Sequence, residues 1–455
     1  MHPYLQTDNN DINKAYRMAL STLFCNIIPS KHGKPDEEVI TAGLDYPAPW
    51  TRDASINVWN AAGLLYPEIS RRTLLGLIDE NNIIGGYAGQ NWDNIIWATA
   101  AWYQYLCTGD RVFLKKAYDS VKTTLSFFEN SKFDSKFNLF SGPACYGDGV
   151  AAYGDKYAEH GTSAIIESKY VDRLFTLSTN CLFYSAYKIA DMAAGVLSLP
   201  EQYCEKANRL KYSINKNFWS EEKQRYIYYI DDDGVSNHYE TLGTAFAILF
   251  EVADEKQIKA CLESNYCSAH GVPCVWPSFK RYADLGENFF GRHSGTVWPF
   301  IQGFWADAAA RNGRTDLFDA ELAMQTENAL NSNGFFEIYN PVTGEPYGGL
   351  QEDNGSIISW RSMPSQTWSA TAYLRNIYTD IFGLTFTESG MSFNPCGSSL
   401  VSEARLTGLK YRSSQIDISL KGSGTLKECR INGEKSEAFI SSRCDGKISV
   451  EMFLK

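Results

Sequence analysis

Two stretches of this chain, far apart in sequence, each set a carboxylate among glycines and aromatic rings. One reads Ser141-Gly142-Pro143-Ala144-Cys145-Tyr146-Gly147-Asp148-Gly149 and runs on to Tyr153-Gly154-Asp155-Lys156-Tyr157. The other reads Gly334-Phe335-Phe336-Glu337-Ile338-Tyr339-Asn340-Pro341-Val342-Thr343-Gly344-Glu345. Aromatic walls desolvate a carboxyl group and raise its pKa, which suits a general acid near neutral pH. Asp148 and Asp155 also have a plain reading as turn formers, the usual role of Asp beside Gly. Glu337 has less claim to that role, because Asn340-Pro341 and Thr343-Gly344 already supply the turn in its loop. Two such carboxyl groups facing each other are what acid–base cleavage of a glycosidic bond requires.

A second set of residues has the chemistry to hold a sugar ring. In Leu44-Asp45-Tyr46-Pro47-Ala48-Pro49-Trp50-Thr51-Arg52-Asp53 the prolines stiffen the backbone, and Asp53 is well placed as a helix N-cap. The cap leaves Trp50 and Arg52 unexplained. An indole face stacks on the C–H face of a sugar, and an Arg/Asp pair hydrogen-bonds two vicinal hydroxyls. Similar groupings occur at Gly89-Gln90-Asn91-Trp92-Asp93-Asn94, at Arg292-His293-Ser294-Gly295-Thr296-Val297-Trp298-Pro299 and at Ser359-Trp360-Arg361-Ser362. A single Trp at a helix start is more often packing, but its recurrence is harder to assign to packing alone. The expectation is that Trp50, Arg52, Asp53, Trp92 and Asp93 hold the terminal sugar. His293, Trp298 and Trp360 would form further walls, with Tyr146 and Tyr339 beside the two carboxylates.

These residues have to be positioned by helices. Apolar spacing and breaker residues predict about twelve helical segments, near 9–27, 53–64, 67–80, 92–107, 110–131, 171–196, 200–218, 239–250, 253–264, 294–312, 314–331 and 363–381. Tyr66-Pro67, Thr108-Gly109-Asp110, Ser198-Leu199-Pro200 and Asn312-Gly313-Arg314 are very short links, which force antiparallel neighbours. The remaining links, near 28–52, 81–91, 132–170, 219–238, 265–293 and 332–362, are long and rich in Gly, Pro and aromatics. This alternation predicts a mainly α protein: six helical hairpins closed into an (α/α)6 toroid. All long loops then fall at the end where the inner helices begin, the expected functional face. From about Gly383 the helical spacing gives way to alternation, as in Gln415-Ile416-Asp417-Ile418-Ser419-Leu420. The expected division is a barrel domain over 1–382 and a small β-sandwich-like module over 383–455.

Composition narrows the partners. A net charge of −11 without a basic stripe argues against nucleic acid. No stretch approaches transmembrane length, and Met1 to Asp11 lacks signal-peptide character, so the default is a cytoplasmic enzyme. The 11 cysteines suit reduced thiols, and neither they nor the 6 histidines have zinc spacing, so no metal or cofactor is expected.

The same residues carry a resemblance. The chain over about 40–382 resembles the six-hairpin, (α/α)6-barrel glycoside hydrolases, nearest the glucosidase I, trehalase and bacterial glycogen-debranching-like groups. Trp50-Thr51-Arg52-Asp53 looks like their Trp-x-Arg-Asp element at the glycone subsite. His293-Ser294-Gly295-Thr296-Val297-Trp298-Pro299 looks like their His-x-Gly-Thr-Val-Trp-Pro element. Glu337 to Glu345 looks like their Glu-x-Tyr-(Asp/Asn)-Pro-x-Thr-Gly-Glu loop, whose first Glu is the catalytic base. Where glucosidase I-like enzymes carry Gly-Leu-Asp-Asp-x-Pro-Arg, this chain has Tyr146-Gly147-Asp148-Gly149, so the acid is Asp148 or, as the alternative, Asp155.

The resemblance implies inverting hydrolysis with an α-glucosidase-like preference. An inverting pair stands roughly 6.5–9.5 Å apart, to admit water. Exo action on an oligosaccharide or small α-linked glycoside is expected, because six loops would close the pocket at one end. Two other expectations stand beside it. One is a phosphorylase on the same barrel, with Arg292 and His293-Ser294 binding phosphate. The other is a carbohydrate-binding protein without catalysis.

Overall fold

The computed structural model describes residues 2–29, 37–46, 48–86, 89–159, 165–200 and 203–455. Pro47, expected to stiffen the first loop, lies outside them, as do parts of three of the long links. The barrel helices, in chain order, are α1 (Asn10–Cys25), α2 (Thr51–Asn57, continuing as a π-helical Val58–Ala62 into Gly63–Leu65), α3 (Pro67–Leu75), α4 (Asn91–Thr108) and α5 (Arg111–Ser131). They continue as α6 (Leu177–Leu197), α7 (Cys204–Phe218), α8 (Thr241–Leu249), α9 (Glu255–Ser264), α10 (Pro299–Arg311), α11 (Thr315–Asn331) and α12 (Thr367–Arg375, extended by a π-helical Asn376–Ile381).

The even-numbered helices form the inner ring. Each packs on the next, α2 on α4, α4 on α6, and so round to α12, which closes on α2. A helix surrounded on all sides must be apolar or self-satisfied all round, and Thr241 to Ile248 of α8 are buried without exception. Small residues let the inner helices approach closely: a Cβ on Gly303 of α10 would stand 2.8 Å from the Ala372 Cβ of α12. The outer helices are two-faced. In α11 the buried positions Phe318, Leu322, Gln325, Thr326 and Ala329 recur every three or four residues, the helical period. α1 packs on α12 and α11, so the sixth hairpin is assembled from the two ends of the helical region.

The short links have a local cause. Gly109 takes φ +74° after α4, a left-handed position that favours glycine, and Asp110 then caps α5 by accepting from the Phe113 N–H at 2.9 Å. Several helix starts differ from expectation. α2 begins at Thr51 with Trp50 in the cap position and no side-chain cap bond, so Asp53 lies inside the first turn and is not the N-cap. α10 begins only at Pro299, because the preceding residues are extended and Val297 pairs with Tyr339 and Pro273. α6 begins at Leu177, because Phe175–Thr176 pairs as a strand with Tyr229 and Ile230.

The C-terminal strands form a six-stranded sheet and a separate three-stranded one. In the larger, Ser414–Lys421 lies between Glu403–Tyr411, antiparallel, and Gly446–Leu454, parallel. Its outer strand is Tyr4–Thr7 from the other end of the chain, paired with Glu403–Tyr411 in the register Leu5 to Leu406. No helix among the described residues is long and apolar enough to cross a membrane. The cysteines are all free thiols. Replacing the α5 cap, Asp110→Ala, is expected to lower stability by about 1 kcal/mol in a urea titration while leaving the active-site face unchanged.

Candidate active site

The N-terminal ends of the inner helices surround a cavity of about 220 Å³. That is below the roughly 300–1,000 Å³ of drug-sized sites and is the scale of one sugar ring. Trp50, Arg52 and Asp53 come from the start of α2, Tyr146 and Asp148 from the link before α6, and Arg292, His293 and Trp298 from the link before α10. Glu337, Gln351 and Trp360 come from the link before α12, and Gln366 and Trp368 from its start. Thus both carboxylates singled out above, Asp148 and Glu337, line one cavity.

Each lies against a different guanidinium. Arg292 Nη2 donates to Glu337 Oε2 at 2.8 Å, and both side chains are almost wholly buried. The Arg292 guanidinium lies over two indoles, 5.5 Å from the Trp298 ring centre and 5.7 Å from that of Trp360, and also donates to Gly348 O at 3.1 Å. Glu337 Oε1 takes no hydrogen bond from a described residue. Asp148 is the more open of the two, with 32% of its side chain exposed. Its Oδ2 stands 3.4 Å from Arg52 Nη2 and its Oδ1 stands 3.4 Å from His293 Nε2. Burial pushes the His293 imidazole down to about 3, against the pull of Asp148, so the ring is neutral. The Asp148 carboxylate thus faces the cavity cation and does not close its own turn.

Arg52 is the hub of this wall. Its Nη1 donates to Asp93 Oδ2 at 3.0 Å, and its Nε stands 3.8 Å from Asp53 Oδ2. Burial raises the Asp53 carboxyl to about 7; Arg52 opposes the rise, and Glu337 and Asp93 add to it. The guanidinium also lies 5.3 Å from the Trp50 ring centre, and Trp50 keeps about a third of its surface exposed at the rim.

Three residues expected to touch the sugar stand one layer back. Asp93 spends its carboxylate on Arg52. Trp92 is buried, its indole N–H given to Gln90 Oε1 at 3.0 Å. Tyr339 is buried too: its hydroxyl accepts from Phe336 N at 3.1 Å, and its backbone pairs with Val297. That pairing ties the Glu337 loop to the segment carrying His293. Asp155 is likewise outside the cavity wall. It stands 3.1 Å from Arg281 Nη1, with 68% of its side chain exposed.

The two carboxylate loops are built differently. In the Glu337 loop Asn340 Oδ1 accepts from Val342 N and Thr343 N at 2.9 and 3.2 Å, an Asx turn, and Gly344 follows at φ +71°. In the Asp148 loop the strain is at Tyr146, which takes φ +134°, a region that side chains avoid. Sequence reasoning missed Tyr46, Gln351, Gln366 and Trp368 in the cavity wall. Gln351 sits on a hairpin strand, Leu350–Asp353, and no motif marks it. Tyr46 lies in the same loop as Trp50, four residues before it, in no pattern that marks a sugar contact. Among the described residues no group of three or more His, Cys, Asp or Glu could hold a metal ion.

A family model, the mannosylglycerate hydrolase MGH1-like glycoside hydrolase domain, matches residues 93–369. Among solved structures, a sialidase superposes with a TM-score of 0.71 at 15% identity, covering 95% of this chain and 40% of its own. The family GH63 mannosylglycerate hydrolase from Thermus thermophilus, in complex with Tris and D-glycerate, gives a TM-score of 0.60 at 13% identity, over 79% of this chain and 99% of that one. The family GH78 rhamnosidase of Bacillus sp. GL1 gives 0.63 at 16%, over 100% and 44%. At these identities the likeness concerns the fold: all share the (α/α)6 barrel. The chain spans less than half the length of the sialidase and the rhamnosidase. No curated protein matches the sequence significantly.

The buried carboxyls give a pH signature. Burial raises Asp53 to about 7, Glu321 to about 7 and Glu240 to about 8. The folded protein therefore keeps protons that the unfolded chain sheds above about pH 4. Their stabilising contribution is complete below that pH and is lost as pH rises through 7 to 8. The urea midpoint is expected to fall across that range, and less steeply in Glu321→Gln; equal slopes in the two proteins would contradict the assignment.

Proposed function

Because the chain belongs to the mannosylglycerate hydrolase MGH1-like glycoside hydrolases, we propose that it removes the terminal sugar of a short α-linked glycoside with inversion, using Asp148 as general acid and Glu337 as general base. The enzyme is a glycoside hydrolase and its substrate a carbohydrate. The observation that carries the finer reading is the presence of both carboxylates in one sugar-sized cavity, each against a separate guanidinium. Asp148, the more open, protonates the leaving oxygen. Glu337, oriented through Oε2 by Arg292, takes a proton from water with Oε1, and the water attacks the anomeric carbon from the face opposite the leaving group. Trp50 stacks on the ring, while Arg52 and Asp53 bond its hydroxyls, with Asp93 holding Arg52 in place.

The glycone is gluco- or manno-configured in this reading, the second suggested by the family's name. Two contacts weigh against the phosphorylase alternative. Arg292 is committed to Glu337 and Gly348, and Ser294 Oγ accepts from Phe279 N at 2.8 Å. We keep the division into a catalytic domain over 1–382 and a β-sheet domain over 383–455 as part of the proposal, with Tyr4–Thr7 lent across it to the sheet.

The test is a panel of aryl α-glucosides, α-mannosides and α-rhamnosides, natural disaccharides and mannosylglycerate, each with and without phosphate. Turnover independent of phosphate, with the β-anomer appearing first by NMR, is expected. The α-anomer appearing first would exclude inversion. Glu337→Gln keeps the Arg292 hydrogen bond and should stay folded by circular dichroism while losing activity about 10²–10⁴-fold; wild-type turnover in that variant would remove Glu337 from the mechanism.

A further inference from the structure

One carboxylic acid lies wholly buried behind the cavity and takes no part in the chemistry above. Glu240 immediately precedes α8, at an inner-helix start, and has no exposed surface. Its Oε2 accepts from the Ser178 backbone N–H at 3.2 Å, at the start of the neighbouring inner helix α6. Ser178 Oγ in turn accepts from Cys145 N at 3.0 Å. Cys145 directly precedes Tyr146, the residue held at φ +134°.

A backbone in that region persists only where its surroundings over-determine it. The Asp148 loop is pinned on both sides of the strained residue. Tyr153 Oη accepts from Ala144 N at 2.9 Å and donates to Gly147 O at 2.7 Å. Thr176 Oγ1 donates to Gly142 O at 3.1 Å, and Thr179 Oγ1 donates to Pro143 O at 2.5 Å. The Ser178 hydroxyl is the pin on the residue next to the strain, and Glu240 holds the peptide that carries that hydroxyl. The carboxyl is itself held against Gly243: a Cβ there would stand 2.5 Å from Glu240 Oε2. Its other oxygen, Oε1, is buried with no hydrogen-bond partner among the described residues. Burial raises the Glu240 carboxyl to about 8, so it is neutral near pH 7, as a group buried without a cation must be.

We propose that Glu240 is a positioning residue for the general acid, acting through Ser178 and Cys145 to hold the Tyr146 backbone in the conformation that delivers Asp148 to the cavity. The inference rests on the reading of Asp148 as the acid. It makes Glu240 to the Asp148 loop what Asp93 is to Arg52, a carboxyl at an inner-helix start that supports a cavity residue from behind.

A misplaced acid has a kinetic signature that general instability lacks. Protonation matters for a poor leaving group such as an alkoxide and hardly at all for fluoride. The experiment compares kcat on a methyl α-glycoside and on the corresponding glycosyl fluoride, of the gluco or manno series, whichever pair the wild-type enzyme hydrolyses. Variants are Glu240→Met, Glu240→Gln, Ser178→Ala and Asp148→Asn. Asp148→Asn should lose about 10²–10⁴-fold on the methyl glycoside and little on the fluoride. Glu240→Met and Ser178→Ala should show the same asymmetry, with losses of about 10-fold or more on the methyl glycoside and KM nearly unchanged. Glu240→Gln, neutral and still able to accept from Ser178, should remain near wild type.

Ser178→Ala removes only a hydroxyl and keeps the test open if Glu240→Met does not fold. Equal losses on both substrates in the Ser178 and Glu240 variants, or none, would overturn the positioning role while Asp148 kept its own. A Gln variant as damaged as the Met variant would also overturn it. Equal losses on both substrates in Asp148→Asn would overturn the acid assignment itself, and the positioning role with it.

Discussion

A carboxylate removed from water has to be neutralised by a cation or by a proton, and that constraint organises the whole mouth of this barrel. Arg292, over two indoles, neutralises Glu337. Arg52 neutralises Asp93 and lies against Asp148 and Asp53. Asp53 and Glu240, with less or no cationic help, are raised toward the neutral form instead. The result is a small hollow whose two facing carboxyls, Asp148 and Glu337, each lie against a guanidinium, while buried Asp53 in its wall and Glu240 behind it are pushed toward the neutral form.

The barrel is suited to this because its inner helices all begin at one end. Each inner-helix start brings a loop, and the loops converge on a single cavity. Three of the six starts supply cavity residues directly, at α2, α10 and α12, and the link before α6 supplies Tyr146 and Asp148. At the starts of α4 and α8 stand Asp93, which holds Arg52, and Glu240, which accepts from the Ser178 backbone. The wall therefore has an inner layer that faces the ligand space and an outer layer that fixes its geometry, and both are made of short segments anchored on rigid helices.

Residue type alone does not separate these two layers. Trp92 and Trp50 each stand at the start of an inner helix, yet one is buried and the other lies on the cavity rim. Asp53 looked like a helix cap and lies inside the first turn, where the cap position belongs to Trp50. Tyr339 sits in a loop of strong motif character, but its ring is packed and its backbone does the joining. Gln351 has no motif at all and reaches the cavity only because a hairpin folds over it. In each case the deciding factor is which face of the segment meets the cavity and which meets neighbouring segments, set by contacts distant in the chain.

By itself, the amino-acid sequence determined most of the helices and the pairs joined by short links, because apolar period and link length are local properties; the pairing of α1 with α12 is long-range. It also determined the two carboxylate loops, because glycines, prolines and aromatics crowd them visibly, and the asymmetry between short and long links that puts every loop at one end. The tertiary structure alone decided that Asp148 and not Asp155 lines the cavity, that Arg292 belongs to Glu337, that the N-terminal strand completes a C-terminal sheet, and that Glu240 backs the Asp148 loop. Those outcomes depend on pairings between residues tens to hundreds of positions apart, and the charge balance that selects among them exists only once the chain has closed into a ring.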